Sequence, residues 1–124
     1  MKSKASGKIT ASQRRWQEAV RQLGSVISGG PAVIHHAVGI TAKHNKVPIG
    51  AWWVIPLTDE EHKALHAGKE WLLDGLTRKQ FEKHQFGRIM GFADVDDVVK
   101  QVYGITAEDL PPPKVVEAIM SYHR

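Results

Sequence analysis

The 124-residue chain contains no cysteine. Disulfide frameworks and thiolate metal sites are therefore excluded, and nothing in its thiol chemistry calls for an oxidising compartment. It also lacks any apolar run near the ~20 residues that a membrane-spanning helix requires, so no membrane association is expected. The basic opening Met1–Lys8 leads into no apolar stretch. No secretory leader is expected there, and a cytoplasmic setting is. Acidic residues are the scarcer sign, 13 against 17 Lys and Arg. That shortage sits at the front. Residues 1–24 carry Lys2, Lys4, Lys8, Arg14, Arg15 and Arg21 against Glu18 alone, whereas the rest of the chain is close to neutral. A basic front favours phosphate backbones or another anionic surface through counterion release, although a solubilising tail would have the same charge.

What is present is a globular composition with 42% hydrophobic and 24% charged residues, enough for one modest domain. Residues 1–11 read as a flexible basic arm. Ser12 is a candidate cap for a helix that places Trp16, Ala19, Val20 and Leu23 on one face, with Gly24 as its C-terminal stop. Ser28 to Pro31 reads as a tight turn, and Ala32 to His36 as a short strand. Residues 37–50 read as a long polar loop. Ala51 to Ile55 is the second strand candidate, ended by Pro56. Thr58 and Glu61 form a capping box for a helix ended by Gly68. Thr77 and Gln80 form another, with Gly87 as a stop. Asp94 is a candidate cap for a helix through Val102. Pro111 to Pro113 is a stiff spacer before a last helix over Lys114 to Tyr122. The fold class expected is α+β. A strand–loop–strand–helix core follows one helix and precedes several more.

With no thiolates, any transition-metal site must come from the seven histidines and the carboxylates. Two pairs stand out. His35 and His36 close the first strand, and His62 and His66 lie four apart on the capped helix, where residues share a face. A strand histidine added to the helical pair makes a three-imidazole set with open positions for water or substrate, as a catalytic metal requires. The remaining histidine of the first pair would be free for proton transfer. By residue type alone, solvated surface positions are the favoured reading for all four, and it is their combination across strand and helix that favours a site. Trp52 and Trp53 read as core, and His44 and His84 as surface.

The residues around these pairs resemble the HNH, or ββα-metal, endonucleases. Val54-Ile55-Pro56-Leu57 and then Glu61-His62-Lys63-Ala64-Leu65-His66 resemble the second half of that motif. Ala32 to His36 resembles the strand ending in its catalytic histidine, and Gly24 to Gly29 resembles its first zinc knuckle. The His-His pair, the Trp52-Trp53-Val54-Ile55-Pro56-Leu57 run and Phe81 to Gly87 are similar to phage RecA-dependent recombination-enhancement nucleases. The resemblance implies a small ββα-metal domain over residues 12–90; residues 91–124 lie outside it and read, from their own caps and spacing, as a helical extension packed on the same domain. It implies a metal-dependent DNA endonuclease linked to recombination or processing, acting in the host cytoplasm if phage-encoded. DNA and a RecA-like filament are the implied partners. His35, His62 and His66 would hold one divalent ion, Mg2+ or Mn2+ with Zn2+ as an option, and His36 would act as general base. Lys4, Lys8, Arg14, Arg15, Lys43 and Lys46 are the candidate DNA contacts. The alternative is a DNA-binding accessory protein that does not cut. Ser25, Ser28, Thr58 and Glu61 stand where many relatives carry structural cysteines, so no structural zinc is expected. Trp53 stands where the middle Asn usually lies, and Asn45 could replace it only from the loop.

Overall fold

The computed structural model describes residues 9–95, 105 and 107–122. Helix α1 spans Ala11–Gln22 and is capped by Thr10, which makes a reciprocal capping box with Gln13. The cap thus falls two residues before Ser12, because Thr10 has the Gln three positions on that the box needs. Trp16, Ala19 and Val20 form the buried face of α1. Gly24 follows at φ 82°, a left-handed position natural to glycine.

Strand β1 spans Val33–His36 and pairs antiparallel with β4, Val54–Leu57. Between them Lys43–His44 (β2) and Val47–Pro48 (β3) make a second, two-stranded ribbon where a plain loop was expected. Asn45 and Lys46 turn it, both at positive φ. The second core strand also starts later than expected. Trp52 and Trp53 donate back to the Ile49 carbonyl in a turn, and the strand then runs through Pro56 rather than stopping there. Each sheet has only two strands, so both are edges, and an edge accepts a proline at a position whose N–H would leave the ladder.

Helix α2, Asp59–Ala67, follows β4 directly. Thr58 and Glu61 make both bonds of the expected capping box, and Gly68 ends the helix in a left-handed conformation. A short α3, Glu70–Leu73, leads to α4, Arg78–Val95. Thr77 and Gln80 exchange cap hydrogen bonds as expected. Gly87 does not stop α4. A helical glycine costs only about 1 kcal/mol relative to alanine, and burial of Phe86 and Ile89 on either side outweighs that. Asp94 consequently lies inside α4 rather than ahead of a new helix, and the rest of the helix expected through Val102 lies outside the described residues. A 3-10 turn, Ala107–Asp109, and α5, Pro113–Met120, complete the described chain. The protein is therefore α+β. Its core joins Trp16 and Val20 of α1, Trp53 to Ile55 and Leu57 at β4, Leu65 of α2, Phe81, Phe86 and Ile89 of α4, and Ile119 of α5. Trp52 and Trp53 are core residues, as expected. No described helix is long and apolar enough to cross a membrane.

Candidate metal centre

Alternation along β1 sends successive side chains to opposite faces. His35 turns inward and is 1% exposed, while His36 faces out. On α2, the four-residue spacing carries His62 and His66 on one face, the first half-buried and the second exposed. The fold brings these three imidazoles together. One ring nitrogen from each lies within 4.8 Å of the other two, a grouping able to hold a metal ion. Ring centroids are 5.0 Å apart for His35 and His62, 5.5 Å for His35 and His66, and 4.7 Å for His62 and His66.

The donor set fits a divalent ion. His62 Nε2 and His66 Nε2 lie 3.1 Å apart. Two imidazole nitrogens on one ion, each at about 2.1 Å, would be separated by roughly 3–3.4 Å. The His62 and His66 rings also favour the neutral form that a ligand must have. Burial lowers the His62 pKa, helped by His35 and His66 and opposed by Asp59. Burial likewise lowers that of His66, followed by the charge of Arg78. His36 is lowered as well, by burial and then by His35.

Two devices outside the cluster hold it in place. One fixes the start of α2. Glu61 is buried, and its Oε1 accepts from Ser25 Oγ at 2.5 Å and from the Thr58 backbone N–H at 2.9 Å. Ser25 Oγ in turn accepts from the backbone N–H groups of Ile27 and Ser28, both at 3.0 Å. Ser25, Ser28, Thr58 and Glu61 are thus joined by hydrogen bonds. Burial pushes the Glu61 carboxyl up, but these donors together hold it below its ordinary value.

The other device is Glu82 of α4, which the sequence analysis left out. It is 0% exposed. Its Oε2 lies 2.5 Å from His35 Nε2 and 3.4 Å from Arg78 Nε, and its Oε1 accepts from Lys79 Nζ at 2.8 Å. Burial would raise its pKa, but the hydrogen bonds from His35 and Lys79 keep it low and the carboxylate ionised. A buried charge persists only when paired in this way. One sequence signal pointed to it. Glu82 interrupts the apolar face of α4 between Phe81 and Phe86, where a solvated carboxylate does not belong.

The other candidate residues are dispersed. Arg14 is exposed on α1. Arg15 is not left free for a ligand, because it makes a bidentate pair with Asp109, both contacts at 3.0 Å. Lys43 and Lys46 are exposed on the β2–β3 ribbon. Lys4 and Lys8 lie outside the described residues. Asn45 sits at the ribbon tip, and Trp53 is fully buried with its Nε1 donating to the Glu82 carbonyl at 3.3 Å. His44 is not a plain surface residue, since its ring packs 5.3 Å from that of Tyr122, whereas His84 is exposed. Comparison with protein-family models, with curated proteins and with solved structures finds no match to this chain.

Proposed function

We propose that this chain is a divalent-metal-dependent DNA endonuclease of the ββα-metal type. The observation that carries the reading is the convergence of His35 from β1 with His62 and His66 from α2, beside an outward-facing His36. The antiparallel β1–β4 pair running straight into α2 supports it. Phosphodiester hydrolysis requires an activated water and relief of charge on the oxygens around phosphorus. A divalent ion, when bound by the three imidazoles, supplies that Lewis acidity. Imidazole donors suit a transition ion such as Zn2+ better than Mg2+. His36 takes a proton from the attacking water. Lys43 and Lys46 meet backbone phosphates as positioning contacts without reading bases. The basic residues Lys4, Lys8 and Arg14 add sequence-independent affinity.

A second reading, a DNA-binding accessory protein of recombination that does not cut, is favoured by one observation. Trp53 is core, at the position where HNH proteins carry their middle Asn, and Asn45 sits at the turn of the β2–β3 ribbon. Incubation with plasmid and with single-stranded DNA under Mg2+, Mn2+ or Zn2+, with and without a chelator, separates the two. Each is run alone and on a recombinase filament. Metal-dependent nicking that the chelator abolishes is expected. DNA binding without cleavage under every condition would leave only the accessory reading.

A further inference from the structure

Glu82 and Lys79 sit three residues apart on α4; Glu82 reaches His35 of β1 and Lys79 reaches Ala37 just beyond its end. Glu82 Oε2 meets His35 Nε2 at 2.5 Å with both side chains sealed from solvent, at 0% and 1% exposure. Lys79 Nζ bonds Glu82 Oε1 and also donates to the carbonyl of Ala37. Residues 35 and 37, on either side of His36, are thus gripped from one turn of α4. The lysine lies across the Trp53 ring, 5.7 Å from its centroid, which holds its head group over the core. Arg78 reaches the same Oε2 from 3.4 Å, so besides His35 the carboxylate meets two cationic donors.

Lys79 Nζ and Arg78 Nε both donate to Glu82, so its oxygens face His35 as acceptors. His35 Nε2 must therefore carry the hydrogen that faces Oε2, which leaves Nδ1 as the nitrogen open to a metal ion. We infer that Glu82 is a positioning residue of the metal centre, fixing His35 as the Nε2–H tautomer so that it binds metal through Nδ1. Lys79 sets the rotamer of Glu82 and anchors the end of β1. The inference rests on reading the three histidines as a metal site, and adds which atom of His35 binds and what holds it. The physical benefit is twofold. A carboxylate behind a ligating imidazole fixes the ring plane and raises its basicity, and loss of such a partner typically lowers metal affinity about 10- to 100-fold.

The experiment combines two readouts on the full chain. Calorimetric titration with Mn2+ compares the wild type with Glu82→Gln, which keeps the shape and loses the charge. Nitrogen-15 spectra of the imidazole rings in the Zn2+-loaded wild type, Zn2+ being diamagnetic, show which nitrogen of His35 is metal-bound. The expected results are one wild-type Mn2+ site, affinity about 10- to 100-fold weaker in Glu82→Gln, and a His35 ring bound through Nδ1 with a proton on Nε2. Equal Mn2+ affinity in a folded Glu82→Gln variant would overturn the role of Glu82 and leave the metal centre standing. Binding through Nε2 would overturn it too, and that readout decides the matter if Glu82→Gln does not fold. A wild type that takes up neither Mn2+ nor Zn2+ would overturn the metal centre itself.

Discussion

His35 and His36 are chemically identical neighbours in opposite surroundings. One is enclosed by His62, His66 and Glu82, and the other faces solvent. Their substitutions should therefore diverge. His36→Ala should leave Mn2+ affinity unchanged and cost on the order of 10²–10⁴ in cleavage rate, the usual worth of a general base. His62→Ala should lose metal and rate together. Calorimetry and single-turnover cleavage on the same preparations check this, and a His36→Ala variant that loses Mn2+ while His35→Ala keeps it would reverse the two roles. The two pairs of histidines were visible in the sequence because strand and helix periodicities place them. Glu82 was harder to see. It lies 47 residues from His35, and no local pattern links a mid-helix glutamate to a particular strand.

At the scale of elements, the start of α2 decides where His62 and His66 point, and the Ser25–Glu61–Thr58 network holds that start. Ser25→Ala removes the acceptor of the Ile27 and Ser28 N–H groups and a donor to Glu61. Glu61 is the buried partner, and a buried polar group deprived of a hydrogen bond costs about 1–3 kcal/mol, which thermal melting should register as a drop of several degrees. Because hydrogen bonds hold this corner, the metal-free protein should still melt cooperatively. Non-cooperative melting after chelation would show that the fold depends on metal. Gly50 makes a sharper test of the β1–β4 connection. A Cβ there would run into the carbonyl oxygens of Gly39 and Ile40, which are backbone and cannot swing away. Gly50→Ala should destabilise the protein by several kcal/mol, at the upper end for single substitutions. Equal melting temperatures would refute that packing. The capping boxes at Thr58 and Thr77 were legible because their side chains bond within one turn. The β2–β3 ribbon and the passage of α4 through Gly87 were not. Both are decided by contacts distant in sequence, such as α5 against β3 and the burial of Phe86 and Ile89.

On the whole molecule, charge and fold divide the work. The surplus positive charge lies in residues 1–24, while the three-histidine cluster is built from β1 and α2. Deleting residues 1–8 spares the Thr10 cap of α1 and removes Lys2, Lys4 and Lys8. The salt dependence of DNA binding should flatten by about 0.9 in slope for each lysine that meets a phosphate, with the rate at saturating DNA unchanged. An unchanged slope would assign this segment to solubility. The α+β class could be read from alternating strand and helix signals, and the C-terminal packing could not. Tyr122 and α5 reach back to Trp53, His44 and β3 through contacts that no periodicity announces. The most direct measurement is the stoichiometry of divalent-ion binding, by calorimetric titration of Mn2+ and Zn2+ into the wild type and His62→Ala, beside chelator-controlled plasmid nicking on the same samples. One ion per chain and chelator-sensitive nicking, both lost in His62→Ala, are predicted. No saturable binding, or binding and nicking that survive His62→Ala, would contradict a metal-dependent nuclease centre on these histidines.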